Sequence, residues 1–181
     1  MTNPDTERGW KNIIDGVEYI DSFFDPDWLL KLYNKIKSDK FEFRGVSAEP
    51  DGTGLNQFWF LDLLEGKKYN KDVEHIGSHF PSKIVRAYVN YQTFGQHGDF
   101  HEDDGSLTYL IYINPEWSYD DGGGTEFQTL DMTSVVSYPV FNRIIKFNAK
   151  FNHRALPNIR TNAFRYTVAF KTEEAMSEDR S

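Results

Sequence analysis

From Ile84 to Thr172 the chain is a succession of short apolar and aromatic runs separated by turn-forming residues, and this pattern restricts the fold more than any other feature. The runs are Ile84–Thr93, Leu107–Asn114, Thr125–Leu130, Val135–Val140, Arg143–Phe147 and Phe164–Thr172. Asp120-Asp121-Gly122-Gly123-Gly124 and Pro157-Asn158 punctuate them. Many short strands with Gly, Asp and Pro between them predict a sandwich, jelly roll or barrel. The preceding segment differs. Val17–Ile20 reads as a leading strand, and Asp25-Pro26 reads as a helix start, with Asp25 accepting first-turn amides and Pro26 needing no donor there. Leu29, Leu30, Leu32, Tyr33 and Ile36 then recur at helical spacing, which predicts a helix ending near Ser38-Asp39 that supports the sheet. Residues 41–62 alternate β-like pieces with Glu49-Pro50-Asp51-Gly52-Thr53-Gly54, a loop that could close over a site.

At 181 residues the chain suits one domain. The expected organisation is a single domain over 1–181: N-terminal helical and strand support over 1–83, a β core over 84–172, and a polar tail over 173–181. With no cysteine there is no disulfide, thiolate metal site or cysteine nucleophile. A net charge of −8 argues against general nucleic-acid binding. No apolar run reaches a membrane-spanning length and no secretory leader is visible, so the expected location is cytoplasmic with no membrane partner. Charge is unevenly spread. Between Arg86 and Arg143 there are nine acids and no Lys or Arg, whereas Arg143 to Lys171 holds seven basic residues and no acid. One region therefore favours a cation and another an anion.

Chemistry concentrates in Tyr91–Asp103, where H-x-D occurs twice, as His97-Gly98-Asp99 and His101-Glu102-Asp103. Residues i and i+2 of a strand share a face, so a histidine and a carboxylate at that spacing can reach one ion. Two histidines and a carboxylate on one side of a metal leave open positions, the arrangement of non-haem Fe(II) oxygenases. The remaining histidines are His75, His79 and His153. The i, i+4 pair His75/His79 could share a helix face as a zinc pair, but no nearby acid supports it, and both read as surface residues. His153, after the apolar strand Arg143–Phe147, is the better third ligand.

Over roughly Ile84 to Lys171 the chain resembles 2-oxoglutarate- and Fe(II)-dependent dioxygenases of the prolyl 4-hydroxylase-like branch. Tyr91 stands ten residues before His101, as a strand tyrosine does in that branch, which selects the second H-x-D. Thr108-Tyr-Leu-Ile-Tyr112-Ile-Asn114 resembles its T-x-x-x-Y-x-N strand, and Gly123-Gly124-Thr125-Glu126-Phe127 its Gly-Gly turn leading into a strand. Arg165-Tyr166-Thr167 resembles the R-x-S/T motif, whose two polar side chains share a strand face and suit a carboxylate. Arg160 is the reserve for that anchor.

The resemblance implies a mainly β, double-stranded β-helix (jelly roll, cupin-like) with supporting N-terminal helices. It implies Fe(II) held by His101, Asp103 and His153. Of 2-oxoglutarate, Arg165 anchors one carboxylate, with Tyr91, Tyr112 and Thr167 as further contacts. Dioxygen is the co-reactant, and ascorbate is an additional expected cofactor. The implied reaction is hydroxylation of a C–H bond, first of all in a prolyl residue of a peptide or protein. A free amino acid or other small metabolite is the alternative substrate. A jelly-roll metal-binding module without turnover, or a zinc or manganese enzyme without 2-oxoglutarate, is the competing class. Trp59 is expected in the core, His97 in a loop.

Overall fold

The computed structural model describes residues 9–46, 56–129 and 131–173. Its strands are β1 (Lys11–Ile14), β2 (Val17–Ile20), β3 (Glu42–Val46), β4 (Gln57–Asp62), β5 (Lys83–Gln92), β6 (Leu107–Tyr112), β7 (Thr125–Gln128), β8 (Ser134–Ser137), β9 (Arg143–Asn148), β10 (His153–Ala155) and β11 (Arg165–Glu173). The helices are α1 (Pro26–Lys37) and α2 (Asn70–Gly77). An eight-stranded sheet runs β1-β2-β9-β6-β11-β5-β4-β3, and a three-stranded sheet runs β10-β7-β8. Every strand pair in them is antiparallel. This is the mainly β, double-stranded β-helix architecture, with each expected core strand present within one to three residues of its expected ends.

The N-terminal third is more than a support layer. Its strands β1–β4 extend both edges of the large sheet, β2 pairing with β9 and β4 with β5. The leading strand is one arm of a hairpin, β1–β2, whose first arm the apolar pattern did not reveal because Lys11 and Asn12 are exposed. Residues 47–55 of the expected closing loop lie outside the described residues, as does the tail beyond Glu173.

Two apolar clusters sandwich the large sheet. On its outer face, α1 lays Leu29, Leu32, Tyr33 and Ile36 against Val89, Ile111, Val168 and Phe170. Each such side chain contributes on the order of 2 kcal/mol on burial. Asp25 caps α1 by accepting from Trp28 N at 2.7 Å, and Pro26 opens the first turn, as expected. Facing the small sheet, Tyr88, Leu110, Ile145, Phe147 and Ala169 pack with Phe127. Alternation along β11 therefore sends Tyr166, Val168 and Phe170 outward and Arg165, Thr167, Ala169 and Lys171 inward.

Asn142, at φ 66°, ties the N-terminal segment to this frame: its side chain accepts from Phe24 N at 2.9 Å and donates to Phe24 O at 2.7 Å. Among the described residues no helix is long and apolar enough to cross a membrane.

Candidate metal and cosubstrate site

Backbone pairing explains how residues far apart in sequence meet. His101 and His153 sit directly opposite each other in an antiparallel bridge and exchange both hydrogen bonds, at 3.0 and 3.1 Å. Gly98 N donating to Ala155 O at 2.9 Å continues the pairing, so the segment before His101 runs along β10. Asp103 N then bonds Ala149 O at 2.7 Å. The rings of His101 and His153 lie 4.4 Å apart, and one ligand atom from each of His101, Asp103 and His153 lies within 4.8 Å of the others.

Both imidazoles are held with the same nitrogen free. His101 Nδ1 lies 2.8 Å from Asp99 O, and His153 Nδ1 lies 2.9 Å from Phe151 O. A carbonyl only accepts, so each Nδ1 donates, and each Nε2 is the nitrogen left for a metal. Those Nε2 atoms face Asp103, at 3.7 Å from Oδ1 and 3.4 Å from Oδ2. Burial, offset in part by Asp103, pulls the His153 pKa down to about 4, so the ring is neutral at pH 7. For Asp103, burial pushes the carboxyl up, but Lys171 and the two histidines outweigh it and hold it well below the usual carboxylate range. Two imidazoles tied back through Nδ1 and an ionised carboxylate form a donor set suited to a divalent metal with open positions.

Lys171 is a residue that the sequence reading missed. It is 2% exposed, its Nζ donates to Asp103 Oδ2 at very short range, and it lies 3.3 Å from Thr108 Oγ1. Thr108 itself donates to Oδ2 at 2.7 Å. Burial would lower the Lys171 pKa, yet Tyr88 and Asp103 keep it above its ordinary value. One sequence signal was available: Lys171 shares strand parity with Arg165 inside an apolar run.

Arg165 occupies the same inner face. It is 2% exposed, Nη1 donates to Gln92 Oε1, and Nη2 lies 3.4 Å from Thr125 Oγ1. Tyr112 lies beneath it, its ring centroid 5.4 Å from Cζ, with its hydroxyl 2.8 Å from Thr125 Oγ1 and 3.0 Å from Ser137 O. No carboxylate among the described residues pairs with this guanidinium. Burial moves its pKa below the ordinary arginine value, against Tyr112, which raises it. Arg165 Nε, Thr167 Oγ1 and Ser137 Oγ are buried without hydrogen-bond partners. A buried cation with orphaned donors around it fits an anionic ligand of the 2-oxoglutarate kind.

The Gly-Gly turn is explained by this approach. At Gly123, φ is +71° and a Cβ would stand 2.9 Å from Arg165 Cδ. Arg160, the reserve anchor, points elsewhere: it donates to Glu116 O at 2.9 Å and to Asp121 Oδ2 at 3.2 Å.

Tyr91 requires a correction. It pairs with Tyr166, and the two rings stack 5.2 Å apart on the outer face, with Phe41 and Phe164 alongside. The neighbouring Gln92 turns inward to Arg165 instead. Spacing to His101 placed Tyr91 near the site in sequence, but strand alternation assigns its side chain to the other face. Trp59 is half-buried between Phe43 and Tyr91. His97 is exposed, and Asp99 accepts from Asn56 at 2.6 Å, so the first H-x-D stays out of the cluster. His75 is exposed with its ring 4.4 Å from Trp28, whereas His79 is partly buried against Phe23 and Phe24.

The fold and this cluster define a class: a double-stranded β-helix bearing a His-x-Asp…His group beside a buried arginine. Residues 84–170, the β core that carries the cluster, match the model of the 2OG-Fe(II) oxygenase superfamily. The fold is similar to a prolyl-4-hydroxylase from Pseudomonas putida (16% identity, 87% of this chain and 93% of that one, TM-score 0.68). It is also similar to a Trichoplax adhaerens prolyl hydroxylase in complex with a hypoxia inducible factor peptide fragment (17% identity, 87% and 84%, TM-score 0.69). A third similar structure is HygX from Streptomyces hygroscopicus, with nickel and 2-oxoglutarate bound (10% identity, 89% and 84%, TM-score 0.64). Comparison with curated protein sequences gave no match.

Proposed function

We propose that this chain is an Fe(II)- and 2-oxoglutarate-dependent dioxygenase that hydroxylates a C–H bond. His101, Asp103 and His153 hold the iron through Nε2, a carboxylate oxygen and Nε2. Arg165 receives the far carboxylate of 2-oxoglutarate, with Thr167 as an added donor and with Tyr112 and Thr125 supporting the guanidinium. When bound, the metal and cosubstrate supply the oxidising power towards dioxygen. The chain itself orients ligands and keeps the pocket dry. The observation that carries this reading is Arg165: a fully buried guanidinium without a carboxylate partner among the described residues, on the same sheet face as Lys171 and its partner Asp103. A metal-binding module without turnover has no need of such an anchor.

The proposed substrate is a prolyl residue in a peptide or protein. Two similar structures are prolyl hydroxylases, one of them with a peptide. Phe94, Ile159 and Phe164 are exposed apolar side chains within two residues of Gln92, Asn158 and Arg165, which suits a peptide contact. A small metabolite is the second substrate reading, and ascorbate is proposed as a reductant.

The test is an anaerobic visible spectrum of metal-free protein titrated with Fe(II) and then 2-oxoglutarate. The expected result is a weak charge-transfer band requiring both and absent in His153→Ala. No band despite independently shown metal binding refutes the cosubstrate role. Proline-rich peptides that give neither hydroxylated product nor peptide-dependent succinate refute the substrate assignment.

A further inference from the structure

Lys171 is as deeply buried as Arg165, but it faces the metal-ligating carboxylate and not an orphan pocket. Its ammonium and the Thr108 hydroxyl converge on one atom, Oδ2 of Asp103, while they also approach each other at 3.3 Å. The other oxygen, Oδ1, takes no hydrogen bond among the described residues and faces His101 Nε2 at 3.7 Å, whereas Oδ2, with its two donors, also stands 3.4 Å from His153 Nε2. The arrangement follows from sheet register: Lys171 on β11 lies opposite Thr108 on β6, and on the other side of β11 the register against β5 shifts between Lys171 and Thr172. The inner face of one central strand thus presents both Arg165 and Lys171, with small Thr167 and Ala169 between them.

We propose that Lys171, with Thr108, is a positioning residue that reserves Oδ2 of Asp103 and makes the carboxylate a one-oxygen ligand through Oδ1. The inference rests on the iron and 2-oxoglutarate reading. A carboxylate can bind a metal through one or both oxygens. Bound through one, it leaves an octahedral ion three positions beyond the His-Asp-His set, enough for a two-point chelating cosubstrate and one further ligand. Bound through both, it closes one of them. An ammonium suits the task because it donates several hydrogen bonds and accepts none, so it cannot itself compete for the metal while charged.

The test uses the whole chain, saturated with metal under anaerobic conditions, in wild-type, Lys171→Met, Lys171→Arg and Thr108→Val forms. In Lys171→Met, the 2-oxoglutarate concentration giving half of the charge-transfer band is expected to rise about 10-fold or more, the scale of an outer-shell loss. Lys171→Arg, which keeps a donor on Oδ2, is expected to restore it to within about three-fold, and Thr108→Val to fall between. With Co(II) alone, the visible d–d spectrum of Lys171→Met is expected to differ from wild type and that of Lys171→Arg to match it. A purely structural lysine lowers melting temperature but leaves the cobalt spectrum and the cosubstrate dependence of the folded protein unchanged, and that result overturns the proposal. If Lys171→Met does not fold, Thr108→Val decides, an unchanged spectrum and titration overturning the role. Wild-type protein without a 2-oxoglutarate band refutes the function reading instead, and the cobalt spectra still judge Lys171.

Discussion

Replacing Arg165 with methionine separates the two roles a buried arginine can have. In the folded chain the guanidinium is desolvated and rewarded by hydrogen bonds to Gln92 and Thr125 and by the Tyr112 ring. Breaking those hydrogen bonds costs about 1 kcal/mol each, and Gln92 is left with an unsatisfied group worth a further 1–3 kcal/mol. Removing an uncompensated buried charge returns several kcal/mol, and apolar replacement of buried ions is commonly neutral or stabilising. The terms oppose each other, so the metal-free variant is expected to melt within about 5 °C of wild type.

Cosubstrate binding has no such offset. Truncating one partner of a buried, hydrogen-bonded charge pair costs about 3 kcal/mol, or roughly 150-fold in Kd. Thermal melts of the metal-free protein and anaerobic calorimetric titration of the metal-loaded protein with 2-oxoglutarate read the two quantities separately. A variant that melts more than about 10 °C lower while keeping 2-oxoglutarate affinity within about five-fold makes Arg165 a structural cation, and the reasoning fails.

Further outcomes are expected at the metal cluster, the glycine turn and the two tyrosines. Asp103→Ala strands the buried Lys171 ammonium, so metal binding is lost and the fold is weakened by about 3 kcal/mol in denaturant melts. The double variant Asp103→Ala/Lys171→Met recovers most of that stability but no metal binding, and strict additivity contradicts the pairing. Gly123→Ala places a Cβ against Arg165 at a left-handed φ, which is expected to cost about 1–2 kcal/mol and weaken 2-oxoglutarate binding several-fold by titration. Tyr91→Phe leaves cosubstrate affinity within about two-fold, because its ring packs on the outer face, whereas Tyr112→Phe removes the hydroxyl between Thr125 and Ser137 and weakens it more.

Strand existence was legible because β propensity and turn residues coincide from Ile84 onward, and α1 was legible because Asp25-Pro26 and an i, i+3, i+4 stripe agree. The grouping of His101, Asp103 and His153 was legible through motif order, although the bridge that joins the histidines is a long-range pairing that no local pattern encodes. Face assignment was harder. Tyr91 and Gln92 are adjacent, and only the register of β5 against β11 decides which of them reaches Arg165. Lys171 escaped for a related reason: a lysine near the end of a strand ordinarily reaches solvent, and its burial depends on Asp103 and Thr108 arriving from other segments. The difference between Arg160 and Arg165 likewise came from what surrounds each side chain, Asp121 at the surface in one case and no carboxylate among the described residues in the other.

The carbonyls of Asp99 and Phe151 grip both imidazoles from behind, so the histidine rings are oriented before any ion arrives. An ion entering such a cradle meets little ordering cost, and its departure need not loosen the fold. Orientation of the rings does not by itself select the ion. A donor set of two imidazoles and one carboxylate ranks divalent ions by their intrinsic preference for nitrogen and oxygen, in which copper and nickel stand above iron. Loading with the right metal then depends on which ions the surroundings supply, and a preparation made without control of trace metals is expected to be mismetallated and inert although perfectly folded.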